Sequence, residues 1–276
     1  MTRPNLSYLK SVILAVVAVP YGALTGLSGI GVGVFCLPGV RFLLGLRGVR
    51  ASATSAAVVA ASALAALLSY TQINAVNWAV VWAVLFSQIV GALLAVNFRR
   101  TRMFKESPGW LWAFLVIGFG AWFVFRHGSP LTSAQMPGSF DQHISVSTWA
   151  IIIVAGFSAG LLGNISGAAG VLLVPILLSV THFTLLQVQG VSIATICIGA
   201  GLALFSHARA NQVDSRSATW MGFGAFFGGL IGAWFATHAI HARSLVILDG
   251  SWVILAGITR LAPQSNGDAI ETPVTQ

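Results

Sequence analysis

The sequence predicts an all-α integral membrane protein built from two homologous repeats of four to five membrane helices each, with Gly/Pro-broken helices and inverted halves. Three observations predict it. The chain is 57% hydrophobic and 7% charged, where a soluble domain carries about 25% charged residues. Shifted by 137 residues against itself without gaps, it places Gly26 on Gly163, Gly33 on Gly170, Pro38 on Pro175, Ser55 on Ser192, Asn74 on Asn211, Val76 on Val213 and Gly91 on Gly228. In each copy glycines interrupt an apolar run: GALTGLSGIGVGVFCLP at 22–38 and GLLGNISGAAGVLLVP at 160–175. A lipid-spanning helix gains nothing from so many weak helix formers. A broken helix lining a cavity does, because its bare backbone can face a ligand. Interrupted apolar segments at matching positions of duplicated halves point to a transporter binding site.

The first repeat is read as residues 1–126. Its first apolar run follows Arg3 and Lys10 in the manner of a signal peptide, but no clear cleavage site follows and the run belongs to the repeated unit. After the Gly-broken segment come Arg41, Arg47 and Arg50, then an Ala-rich span at 51–69 whose small side chains allow close helix approach. A further span covers 76–98. The loop RRTRMFKE at 99–106 carries four basic residues against one acid and is assigned to the cytoplasm by the positive-inside rule. A Trp/Phe-rich span follows at 110–125, and residues 127–146 form a polar, extracytoplasmic linker.

The second repeat, 147–260, follows the same plan, with spans at 187–206 and 218–237 and a weaker one at 245–260; residues 261–276 read as a disordered polar tail. If each Gly-broken run crosses once, each half has four spans and the halves are parallel, which leaves Arg209 and Arg216 outside. If it forms two short helices meeting at the break, each half has five and the halves are inverted. The charges favour the second arrangement, which puts 207–217 inside with Arg3 and Lys10.

The chemistry is narrowed first by what the sequence lacks. There is no Ser/His/Asp order, HExxH, CxxC pair or Walker loop, so no enzyme activity, metal or cofactor is expected. Cys36 and Cys197 lie in apolar segments and read as packing residues. The net charge of +8 follows topology and is no nucleic-acid signal. The acids are Glu106, Asp141, Asp214, Asp249, Asp268 and Glu271, and only Asp249 falls in an apolar segment. That scarcity argues against a metal-cation carrier and against a carboxylate proton relay.

What remains suits a small anion. The candidate substrate-binding residues are Ser28, Gly29, Gly31, Gly33, Thr54 and Ser55 in the first half, and Asn164, Ser166, Gly167, Gly170, Gln189, Ser192 and Thr195 in the second. Glycine breaks expose N–H groups, helix N-termini favour negative charge, and small hydroxyls and amides coordinate oxyanions without a fixed charge in lipid. The bland alternative for each hydroxyl is a bond back to its own helix. Pro38 and Pro175 are read as helix breaks, Asn74 and Asn211 as helix-end turns, and Tyr70 and the tryptophans as interface residues.

The two Gly-rich, Pro-terminated motifs, with Ala53–Thr54–Ser55 and Ala194–Thr195 following them, resemble the TauE/SafE sulfite exporter family over residues 11–260. The glycine run is looser here than in the family pattern. The resemblance implies a transporter moving sulfite, a sulfonate or a related small organic anion across the bacterial inner membrane, mostly outward. Rival readings are a carboxylate or other anion carried inward, and a membrane scaffold without flux. The sequence leaves the oligomeric state open.

Overall fold

The computed structural model describes residues 4–31, 33–46, 48–98, 114, 117–118, 120–125, 144–166, 169–181 and 183–261. Among them stand nine helices: α1 Pro4–Ser28, α2 Gly33–Leu44, α3 Gly48–Gln72, α4 Trp78–Phe98, α5 Val146–Ser166, α6 Ala169–Val180, α7 Leu185–Arg209, α8 Ser215–His238 and α9 Ala242–Leu261. Residues 120–125 are helical as well. The expected loop at 99–106, most of the linker at 127–146, the tail beyond 261, Gly167, and the side chains of Asn164 and Ser166 lie outside the described residues.

Among the described residues, five helices are long and apolar enough to cross a membrane by length and composition: Lys10–Ser28, Gly48–Gln72, Trp78–Ala95, Leu185–Arg209 and Ser215–His238. Their outward faces carry large apolar side chains. On α8 these are Phe223, Phe227, Ile231 and Trp234, recurring at helical spacing; on α4 they are Trp82, Phe86, Ile89 and Leu93. In water such a surface would aggregate, and in a bilayer it meets acyl chains.

The inward face of α8 is made of glycine. A β-carbon on Gly224, Gly228 or Gly232 would overlap the backbone of Ala15, Val19 or Ala23 on α1, and one on Gly22 or Gly26 would overlap Ala225 or Gly229. Small residues spaced by four on both partners bring the backbones together, which in lipid supplies the packing that a hydrophobic effect cannot. A second seam joins α4 to α5, where Gly91 lies on Phe157, and Gly156 and Gly160 lie on Val84, Ser87 and Gln88. In both seams residue numbers rise together, so the paired helices run in the same direction. α3 lies at the centre, against α1, α7 and α8.

α3 and α7 are each 25 residues long and begin 137 residues apart, at 48 and 185. Both end in a Schellman closure. Asn74 and Asn211 hold left-handed backbone, φ 53° and 52°. The Ala75 N–H reaches the Tyr70 carbonyl at 3.0 Å, and the Gln212 N–H reaches the His207 carbonyl at 3.0 Å. Asparagine suits this position because its short polar side chain tolerates a conformation that costs other L-residues about 1–2 kcal/mol.

The Gly-broken run of the first half is two helices, not one. α1 stops at Ser28, α2 starts at Gly33, and Gly29 and Gly31 between them hold φ of 64° and 74°. α5 and α6 are likewise separate helices, ending at Ser166 and starting at Ala169. The prolines are not where the helices break. Pro38 lies inside α2 and Pro175 inside α6. Each removes one ladder donor, and in the first half the left-handed backbone lies upstream of the proline, at Gly29 and Gly31.

Candidate functional site

The site is built around the end of α1. A helix that stops leaves its last carbonyls without intrahelical partners. Ser28 closes part of the gap: its hydroxyl donates to the Leu24 carbonyl at 2.8 Å and accepts from the Ile30 N–H at 3.3 Å. Two side chains from other helices reach the Gly26 and Leu27 carbonyls. Tyr70 on α3 has its hydroxyl 3.1 Å from the Gly26 oxygen, and Gln189 on α7 donates from Nε2 to the Leu27 oxygen at 3.3 Å. Both side chains are fully buried.

These two residues also hold one another. The Tyr70 hydroxyl stands 3.0 Å from Gln189 Oε1, so its single proton is shared between that oxygen and Gly26. Gln189 Nε2 also donates to Asp249 Oδ2 on α9 at 2.9 Å. The pattern fixes the amide. Turned over, Oε1 would face the Leu27 carbonyl, acceptor against acceptor. Packing fixes the backbone too, since a β-carbon on Gly29 would stand 2.9 Å from the Cα and Cβ of Gln189.

α7 continues past this point along the break. Gly31 faces Ile196, and Ser192 lies on the stretch between Gln189 and Ile196. Across the break, Phe35 in the first turn of α2 packs edge-on against Trp252 of α9, centroids 5.1 Å apart. Trp252 stands one turn beyond Asp249, so α9 brings a carboxyl and an indole to the same place. On α3, Val59 approaches Gly33, and Ser55 is a hydrogen-bond partner of the Cys36 thiol.

On the helices beside the break, α3, α7 and α9, three donors are buried and have no hydrogen-bond partner: Thr54 Oγ1, Ser192 Oγ and Trp252 Nε1. An indole N–H can only donate, and a hydroxyl can. Buried polar atoms are nearly always satisfied, so three unpaired donors on the helices that flank the interruption need an explanation.

The structure thus brings Ser28, Gly29, Gly31, Gly33, Thr54, Ser55, Gln189 and Ser192 to the first break or to the helices beside it. Thr195 is buried and spends its hydroxyl on the Ser192 carbonyl at 2.8 Å, the bland alternative. Asn164 and Ser166 lie in the last turn of α5 and Gly170 in the first turn of α6, with their surroundings outside the described residues.

Sequence reasoning missed three members. Tyr70, read as an interface residue, is 0% exposed and bonded across the protein interior. Asp249, set aside in the weakest apolar segment, is also 0% exposed and joins the same network. Trp252 was one of nine tryptophans assigned together to interface belts. The available signal was the Asp249/Trp252 spacing of three, which places an acid and a donor on one helical face.

The family model for the sulfite exporter TauE/SafE matches the chain in two segments, residues 2–107 and 104–260. No curated protein and no solved structure matches it significantly.

Proposed function

The chain belongs to the sulfite exporter TauE/SafE family, and from that premise we propose that it is a secondary transporter exporting a small sulfur oxyanion or organosulfonate across the bacterial inner membrane. The observation that carries the reading is the family match, which accounts for nearly the whole chain. The substrate site is the first helix break; the N-terminal end of α2 and the unpaired Thr54, Ser192 and Trp252 donors on the helices beside it support this reading. A helix N-terminus favours an anion, and uncharged donors hold its oxygens without a fixed positive charge in lipid.

The scaffold is two inverted repeats, 1–126 and 147–260, separated by a linker. Several features support this. The α3 and α7 ends close with the same bonds. α1 packs on α8 as α5 packs on α4. Tyr70 at the end of α3 meets Gln189 at the start of α7, as antiparallel counterparts do. Arg216 at the start of α8 bonds Ser11 near the start of α1 at 3.2 Å, which gathers positive charge on one face with Lys10. By the positive-inside rule that face is cytoplasmic.

A membrane potential negative inside contributes about 2.3 kcal/mol per charge per 100 mV toward anion exit. The test is efflux of sulfite, sulfoacetate, thiosulfate, sulfate and small carboxylates from proteoliposomes under an imposed potential. Efflux of the sulfur anions that rises with potential is expected. Thr54→Val, Ser192→Ala and Trp252→Phe should each weaken binding about tenfold, the effect of one hydrogen bond to a charged group. Flux of none of these anions in the folded protein would refute the reading.

A further inference from the structure

Asp249 is the one feature of this site that an anion does not explain. Its carboxyl is 0% exposed. Gln189 Nε2 reaches Oδ2 at 2.9 Å, and Oδ1 has no hydrogen-bond partner. It sits by the C-terminal end of α1, where the helix dipole is negative, and one turn from Trp252, where the anion is placed.

Among the described side chains, the surrounding titratable and charged groups give it no counter-charge. Tyr70 of α3 faces it. α6 has no titratable side chain, and neither do residues 120–125, which pack on α9 at Gly250. α1 offers Tyr21, which lies against Gly39, and Lys10, 16 residues before Gly26 and so about 24 Å along the helix. α2 offers Cys36, paired with Ser55, and Arg41 in its last turn. α7 offers Cys197, His207 and Arg209, all two or more turns from Gln189. Among the described residues no Lys, Arg or His is bonded to Asp249.

An ionised carboxylate there would be dry, unpaired on one oxygen, opposed by a helix dipole and next to a second negative charge. The one Tyr70 proton is divided between the Gly26 carbonyl and Gln189 Oε1, and Nε2 donates to the Leu27 carbonyl and to Oδ2, which leaves Oδ1 as the one oxygen of this group with no donor at all. A proton needs only that one oxygen.

We propose that Asp249 is the proton-carrying site of the transport cycle. A proton binds Oδ1 when an anion occupies the break and leaves when the anion leaves, so the two cross the membrane together. Gln189 and Tyr70 are positioning residues that hold the carboxyl while keeping their own protons. Anion binding raises proton affinity, and by linkage a proton at Asp249 raises anion affinity by the same factor. A dianion travelling with one proton still carries one net negative charge outward, so the membrane potential remains a driving force. The proposal rests on the reading of the break as an anion site.

The test is calorimetric titration of the purified full-length protein with sulfite at alkaline pH, in buffers of different ionisation enthalpy, which reads protons taken up per anion bound. Wild type is expected to take up about one proton more than Asp249→Asn, and Asp249→Glu to restore it. On the wild type alone, a protonated-carboxyl C=O stretch should grow in the infrared difference spectrum when sulfite is added, which keeps the test open if Asp249→Asn fails to fold. Equal proton uptake in wild type and variant, no carboxyl band, or sulfite binding that requires sodium each overturns the proton site while leaving the anion site standing. Failure of the wild type to bind any of the sulfur anions removes the anion site, and the proton site with it.

Discussion

The α3–α4 turn and the α7–α8 turn close with the same two bonds and the same left-handed asparagine, yet four residues before each asparagine the chemistry parts. Tyr70 points into the protein, is fully buried and bonds Gln189 at 3.0 Å. His207, 137 residues on, is half-buried and bonds its neighbour Gln212 at 2.7 Å. The other two members diverge as well: Ser52 and Trp112 occupy the positions matching Gln189 and Asp249. At these two turns the backbone recurs 137 residues apart, and the polar side chains do not. The turns depend on asparagine and helix length, whereas the network depends on three side chains.

The comparison can be broken most forcefully at the seams. Gly228→Leu would drive a side chain into the Val19 backbone of α1, and loss of most monodisperse protein is expected on size-exclusion chromatography in detergent. Gly199→Leu on α7, where nothing lies within 4 Å, should leave the yield unchanged. Equal losses would show that helix propensity, not packing, sets the need for glycine.

A smaller effect separates the two turns. Tyr70→Phe keeps the ring and leaves Gln189 Oε1 and the Gly26 carbonyl short of a donor, for an expected loss of about 1–2 kcal/mol. His207→Phe should change stability by less than about 0.5 kcal/mol. Denaturant unfolding of the two variants in matched micelles checks this, and equal losses would remove the asymmetry. The smallest contrast is expected within the shared frame. Asn74→Ala and Asn211→Ala should each cost about 1 kcal/mol, and the glycine variants should recover it. A marked difference between the two sites would mean that the turns are alike in geometry only.

Much of the frame was legible in the sequence. The 137-residue offset matches the α3 and α7 boundaries, and the glycine clusters mark where α1 and α5 end. The site was legible only in part, for a physical reason. A search for matched positions finds what both halves need, and the Tyr70–Gln189–Asp249 network has no matching residues to find. Gln189 stands out in the sequence as a polar residue near a break, but its partners come from α1, α3 and α9, and sequence spacing carries no record of which helices touch. The prolines misled in the opposite sense. They are matched, yet they sit in helix interiors, and the left-handed backbone of the first break is carried by Gly29 and Gly31 instead.

The seam between α1 and α8 also bears on how the protein is made. The glycines that receive α1 lie roughly 200 residues downstream, which at about 5–20 residues/s is on the order of ten to forty seconds of synthesis. Through that interval the first helix has left the ribosome without the surface it is shaped to fit. Its notched side must be tolerated by lipid or shielded by the insertion machinery, and a chain cut short before α8 would present that side to quality-control proteases.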